Sequence, residues 1–301
     1  MKIAVLMSTY NGEKFIVEQL ESIFSQKCEM DFDLWVRDDG STDKTREILD
    51  KYQREGKLKW YTGNNLKPAK SFMDLFMHCR DYDFYSFADQ DDYWYPDKLQ
   101  KGINSLKGIE KEALYFSNAL LVDEKRNSLG RMVYRHKINC DFFSLATAGG
   151  VLGCTIMLNR KLAERMFEAG VPDKITMHDC YSSIVCSIFD GTILYDEQAT
   201  MDYRQHSSNV VGSQSSKLGA IKNRFKMICT PAKVSIAEQS ASILKIYDDK
   251  LSDEKRRWLD KISNYRKSFG KAIGLAFSRK PKYNSINMAV TLRLAIFLKK
   301  H

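Results

Sequence analysis

The sequence predicts an α/β protein: a single Rossmann-like, mostly parallel twisted sheet flanked by helices, followed by a helical C-terminal extension. Three observations carry this. Short runs rich in Val, Ile, Leu, Phe, Tyr and Trp at 3–8, 32–37, 58–61 and 83–88 alternate with helical patterns at 13–25, 43–54 and 69–79, as βαβ units do. Polar clusters fall at the carboxyl ends of those strands, where open α/β sheets bind ligands. Charge is also divided along the chain. The net charge is +9 over 301 residues, yet from Ser213 onward 20 Lys+Arg face 6 Asp+Glu, a balance of +14. The preceding part carries 27 against 32, or −5. The two parts therefore suit different partners.

Each element has a local reason. The run Ile3-Ala4-Val5-Leu6-Met7 is continuous and apolar, as a strand covered on both faces requires. In the first helix Phe15, Ile16, Leu20, Ile23 and Phe24 recur at helical spacing. Pro96-Asp97 opens a further helix. Strand-like runs follow at 113–122 and 151–158, helices at 161–168 and 179–189, and strands at 192–196 and 199–205. Residues 212–216, Gly-Ser-Gln-Ser-Ser, read as a linker. From about 217 the pattern is helical, basic and amphipathic.

With 44% hydrophobic residues the chain can bury a sizeable core. No run is long enough for a membrane span, and the N-terminus does not read as a signal peptide. The seven cysteines, at 28, 79, 140, 154, 180, 186 and 229, form no CxxC pair. They are expected to be reduced thiols in a cytoplasmic protein.

The segment "SFADQDDYW" (86–94) puts three carboxylates into four positions at the end of an apolar run. Two unit charges about 4 Å apart repel by roughly 4 kcal/mol at an effective dielectric near 20. An exposed turn dilutes that repulsion; a hard divalent cation, Mn2+ or Mg2+, reverses it. Thr9-Tyr10-Asn11-Gly12 follows the first strand and could be a plain turn. After the second strand, Ser41, Thr42 and Asp43 suit a helix start, whereas Asp38 and Asp39 continue an apolar strand into paired carboxylates. A carboxylate in that place commonly holds a ribose hydroxyl or base edge. No GxGxxG lies near Gly12, which disfavours a nicotinamide fold.

The segments "MSTYNGEKFIVEQLESIFSQ", "VRDDGSTDKTREIL", "NNLKPAKSFMDLF", "FADQDDYWYPDKL", "GCTIMLNRKL", "MHDCY" and "YRQHSSNVVG" occur in this order over residues 3–212. In these the chain resembles an inverting family 2 glycosyltransferase of the GT-A fold, in its rhamnosyltransferase-like branch. The resemblance implies a catalytic domain over 1–212, with a nucleotide-sugar half to about 95 and an acceptor half to about 212. Residues 213–301 are then a basic extension. It implies donor contacts from Thr9, Tyr10, Asn11, Glu13, Asp38, Asp39, Lys70, Asp89 and Gln90. Metal ligation falls to Asp91, Asp92 and His206, and general-base catalysis to Asp179. Trp94, Gly153, Cys154 and His178 would meet the acceptor. The competing reading of Asp179 is a helix cap, and that of His206 an ordinary surface histidine. Two positions depart from the family pattern: Lys67 stands where glycine is expected, and Cys180 where an aromatic residue is common.

The implied donor is dTDP-rhamnose, with UDP-glucose or UDP-galactose as the alternative. The implied acceptor is a growing lipid-linked or cell-surface glycan. A nucleic-acid-binding protein using the basic tail is the remote alternative; no aromatic-basic module supports it, and nucleic acid is not an expected partner. The run 286–298, ending in Lys299-Lys300, is too short to span a bilayer but suits its interface. Lys255-Arg256-Arg257, Arg279-Lys280 and a Trp258 at headgroup depth would add to peripheral binding at the inner face of the cytoplasmic membrane. Packing on the catalytic domain, or homodimerisation through these helices, are the competing expectations.

Overall fold

The computed structural model describes residues 1–136, 138–206 and 233–301. A nine-stranded sheet runs β3-β2-β1-β4-β8-β6-β9-β5, with β7 paired on β6. In chain order these are β1 (Lys2–Thr9), β2 (Asp31–Asp38), β3 (Lys59–Thr62), β4 (Phe84–Ala88), β5 (Tyr93–Trp94), β6 (Ala113–Val122), β7 (Ser128–Met132), β8 (Ile156–Asn159) and β9 (Thr192–Arg204). Through β3-β2-β1-β4 the pairing is parallel, as expected. Beyond β4 the sheet is mixed: β8 is antiparallel to both β4 and β6, and β9 is parallel to β6. The two strands expected between 192 and 205 are one strand, whose register with β6 shifts around Asn118.

Helices α1 (Ile16–Phe24), α2 (Thr45–Arg54), α3 (Lys67–His78), α4 (Lys98–Leu106), α5 (Phe142–Ala148), α6 (Arg160–Ala169) and α7 (His178–Ile188) cover both faces. Alternation along β1 explains why its run is apolar throughout. Ile3, Val5 and Met7 enter one core, with α1, α2 and α4. Ala4 and Leu6 enter the other, with α3, α6 and α7. β5, β7 and α5 were not apparent in the sequence, because segments of two to seven residues carry too little periodicity.

The C-terminal helices are α8 (Ile236–Tyr247), α9 (Asp253–Asn264), α10 (Phe269–Ala276) and α11 (Ile286–Phe297). The expected linker at 212–216 lies outside the described residues. The extension shares the second core rather than forming its own. The Tyr181 and Tyr247 hydroxyls lie 2.9 Å apart, and Gln239 accepts from Thr176. Trp258 is 3% exposed and meets Phe143 edge-on, so it is not at headgroup depth. Lys255 donates to the Ser187 and Ile188 carbonyls at the end of α7, and Arg256 pairs with Asp248 and Asp253. These cations serve internal packing and helix ends.

Candidate active site

Three loops meet at the carboxyl edge of β1, β2 and β4. The β1 and β2 loops are zipped together by hydrogen bonds. Asn11 N donates to Ser41 Oγ and Thr42 N donates to Asn11 Oδ1. Gly12 N donates to Thr45 Oγ1, and across the same gap Glu13 N donates to Asp43 Oδ2 while the Glu13 carboxylate accepts from Lys44 N. Gln90 ties in the third loop. It accepts from Tyr10 N at 2.9 Å and from the Thr9 hydroxyl, and donates to the Tyr10 carbonyl. A Cβ at Gly12 would stand 2.4 Å from Gln90 Oε1, so this approach needs glycine. Thr9 and Glu13 are thus scaffold residues of the rim.

The loops form one wall of a cavity of about 710 Å³. Tyr10, Asn11, Asp39, Asn65, Lys67 and Pro68 line one side; Val133, Tyr134, residues 150–153 and Met177 line the other. Asp89, Gln90, Asp91, His178, Asp179 and His206 lie between.

Asp38 is fully buried and accepts from Gly40 N, Ser41 N, Arg46 and Thr62. Burial pushes its carboxyl up, but these donors outweigh it and leave it below the usual value. It organises the β2 loop instead of meeting a ligand. Asp39 lines the cavity while accepting from Arg37, Leu66 N and Lys67 N. Lys67 takes φ 68°, the left-handed backbone that its expected glycine would favour, so the substitution leaves the loop's turn intact. Lys67, not the exposed Lys70, lines the cavity.

At the β4 end the carboxylates separate. Asp91 Oδ2 lies 2.7 Å from His206 Nε2, and both line the cavity. Asp92 turns under the floor, wholly buried, accepting from Arg204 N and lying near Lys98. Burial and then Asp91 and Asp179 push Asp89 up to about 7; burial likewise pushes Asp92 up and Lys98 down to about 8. One oxygen each of Asp89 and Asp92 and the Cys154 sulfur lie within 4.8 Å of one another. A buried thiol held protonated suits a hard cation poorly, and Asp92 and Cys154 do not line the cavity. Carboxylate and imidazole facing open space fit it better, which favours Asp91 and His206 over Asp92.

Asp179 stands in the first turn of α7, whose N-cap is Met177. The cap reading therefore does not hold. Its Oδ1 accepts from Cys180 N at 2.6 Å, it is 8% exposed, and burial pushes it up to about 6. Next to it, His178 is 2% exposed and packs on Phe72 and Phe87. Burial drives its pKa down to about 3, so it is a neutral wall of the cavity. Gly153 allows this: a Cβ there would lie 2.5 Å from His178 Nε2.

Trp94 is fully buried beneath Lys98, and Cys154 is buried under Asp89. Neither can reach an acceptor, because β5 pairs with β9 and turns the indole into the core. Sequence reading missed Arg204. Its Nε donates to the Asp91 carbonyl at 2.7 Å and its guanidinium reaches the Glu124 carbonyl and Glu18. It joins the Asp91 loop to the end of β9, two residues before His206. The only sequence signal was its place in "YRQH".

A family model described as "Glycosyl transferase family 2" matches residues 4–167. The dTDP-rhamnosyl transferase RfbG of Shigella flexneri is 29% identical over 242 residues, covering 73% of this chain and 80% of that protein. The poly(ribitol-phosphate) beta-N-acetylglucosaminyltransferase TarS of Staphylococcus aureus is 36% identical over 96 residues, 31% of this chain and 17% of that one. Among solved structures, S. aureus TarS 1–349 in complex with UDP-GlcNAc has a TM-score of 0.58 at 16% identity, covering 97% of this chain and 90% of that one. The mannosyltransferase PcManGT from Pyrobaculum calidifontis, in complex with GDP-Man and Mn2+, has a TM-score of 0.54 at 12% identity over 97% and 73%.

Proposed function

The chain belongs to glycosyl transferase family 2, an inverting glycosyltransferase of the GT-A fold, and from that premise we propose that it moves rhamnose from dTDP-rhamnose to a glycan acceptor carried on a lipid. The observation that supports this chemistry best is the convergence of Asp179 and the Asp91–His206 pair on one cavity. In this reading residues 1–212 are the catalytic part and 213–301 its extension.

The nucleoside diphosphate lies along Tyr10, Asn11, Asp39 and Lys67, and the acceptor enters past Tyr134 and residues 150–153. The acceptor hydroxyl attacks the anomeric carbon as the bond from that carbon to the diphosphate oxygen breaks on the opposite face. Asp179 takes the hydroxyl proton, so the bond to carbon forms with inverted configuration and the nucleoside diphosphate departs with the electron pair. A base of this kind contributes about 10²–10⁴-fold. Asp91 and His206 would hold a divalent cation, Mn2+ or Mg2+, which when bound would supply positive charge to the leaving diphosphate. Asp89 feels the charge of both Asp91 and Asp179, and the same cation would relieve that repulsion.

Coverage of 80% of a protein named dTDP-rhamnosyl transferase supports the rhamnose donor. The second reading, a UDP-hexose donor, is favoured by the UDP-GlcNAc complex of TarS. A panel of dTDP- and UDP-sugars, scored by calorimetry with and without Mn2+, separates them. Tight binding confined to dTDP-rhamnose is expected. Preference for a UDP-hexose overturns the donor, and affinity indifferent to metal overturns the role of Asp91 and His206.

A further inference from the structure

Among the described residues no helix is long and apolar enough to cross a membrane. Helix α11 nevertheless is apolar on two faces. Leu292, Ala295 and Ile296 are buried against the protein. Ile286, Val290, Leu294 and Leu298 recur every fourth residue and are 85%, 53%, 44% and 49% exposed. Helix α10 repeats the arrangement: Ala272, Leu275 and Ala276 are buried, while Phe269, Ile273 and Phe277 are exposed. The two helices meet through Phe269 and Phe297, with rings 4.9 Å apart. A helix that is apolar on two faces requires cover on both, and among the described residues α11 has it on one.

We propose that the exposed face of α10 and α11 lies in the interface of an anionic lipid bilayer. Charge decides between occupants. After Asp260 the chain carries no carboxylate side chain, and its cations include Lys267, Lys271, Arg279, Lys282, Lys299 and Lys300. A second copy would press the same basic rim against itself, since an isologous contact pairs a patch with its own image. An anionic headgroup layer instead neutralises the rim while acyl chains cover the apolar ladder.

The position of the face gives docking a consequence. Asn139 N donates to Asn284 Oδ1, and Lys282 N donates to Ser144 Oγ. The ring of His301 is bonded to the Thr147 carbonyl. The segment held in this way, with α5, runs directly into residues 150–153, which wall the cavity. The segments that flank α11 are thus tied to the stretch leading into the side assigned to the acceptor. The docking itself is independent of the donor and metal assignments; its link to a lipid-linked acceptor rests on the transferase reading.

Flotation of the full chain with vesicles of phosphatidylglycerol and phosphatidylcholine tests this. The chain should float at low salt, be released at high salt, and ignore pure phosphatidylcholine. The double variant Val290→Asp/Leu294→Asp, which alters only exposed positions, should lose flotation and keep nucleotide binding. Lys299→Gln/Lys300→Gln should weaken vesicle binding about thirtyfold. A native chain that ignores phosphatidylglycerol, or variants that float unchanged, overturns the proposal. So does a dimer in light scattering that Val290→Asp/Leu294→Asp dissolves, because a second copy is then the occupant. Stronger retention on DNA than on the vesicles also overturns it. A failure of nucleotide binding in the native chain would strike the transferase reading alone.

Discussion

Two acidic clusters end the strands on either side of β1, and they behave in opposite ways. At the end of β2, Asp38 and Asp39 are met by backbone N–H groups, Arg46, Thr62 and Arg37. Asp38 consequently stays ionised more readily than a free carboxylate. At the end of β4, buried Asp92 and part-buried Asp89 lie beside each other and beside Asp91, and both are pushed up. A carboxylate ringed by donors, as Asp38 is at Oδ2, is held ionised; one held against its neighbours' repulsion is waiting for a cation or a proton. Spacing in the sequence does not distinguish the two, because donors arrive from elsewhere in the fold.

The largest test of this contrast is Asp179→Asn. Turnover should fall about 10²–10⁴-fold while nucleotide affinity persists; normal turnover would remove Asp179 from the chemistry. Its pH dependence has a definite sign. The base works when charged, so native activity should decline as pH drops through about 6. Stability runs the other way. A carboxyl raised from its ordinary value is most favourable when protonated, and that contribution is lost as pH rises through about 6. Relative to the native chain, Asp179→Asn should therefore gain stability between pH 5 and pH 8, on the order of 1–1.5 kcal/mol. Denaturant titrations at the two pH values check this.

The counterpart at β2 is Asp38→Asn. It places an amide against several donors and should cost about 2–3 kcal/mol near neutral pH. Because the Asp38 carboxyl is lowered in the folded state, its contribution is present above the ordinary carboxylate value and lost as pH falls through the folded one. The deficit of the variant should shrink in acid; a deficit constant with pH would mean that Asp38 is not held ionised.

Arg204→Lys keeps the charge but loses the fork that joins the Asp91 carbonyl to Glu18 and Glu124. Metal-dependent nucleotide affinity should fall about 10–100-fold, with metal-free affinity unchanged. Equal loss in both would make Arg204 merely structural. The smallest effect is expected for Lys67→Gly. Relief of the left-handed backbone and added chain entropy nearly cancel, so stability should move by less than about 1 kcal/mol, while nucleotide affinity drops with the lost cation. Unchanged affinity would exclude Lys67 from phosphate binding.

Much of this was legible in the sequence, for a reason that varies by residue. Strands β1 to β4 and their helices announced themselves through periodicity, and Tyr10, Asn11, Asp39, Asp89, Gln90 and Asp91 followed from lying just past strand ends. Asp92 was assigned to the site on the same ground and Trp94 on the family resemblance, and both lie in the core. Once a strand has ended, side-chain direction no longer alternates predictably, and here the pairing of β5 with β9 sets it. Trp258 illustrates the same limit over a longer distance: its cover, Phe143, comes from a helix more than a hundred residues earlier.

By itself the sequence determined the βαβ order, the carboxyl-edge placement of the polar loops, the acidic cluster and the basic, carboxylate-free tail. These depend on local spacing and composition, which a linear chain carries in full. Tertiary structure alone decided that Asp91 rather than Asp92 meets His206, that Arg204 joins their two segments, and that the tail packs one apolar face while leaving another open. Each depends on contacts between segments more than a hundred residues apart in the chain, where burial and hydrogen-bond supply are settled by which surfaces the fold brings together.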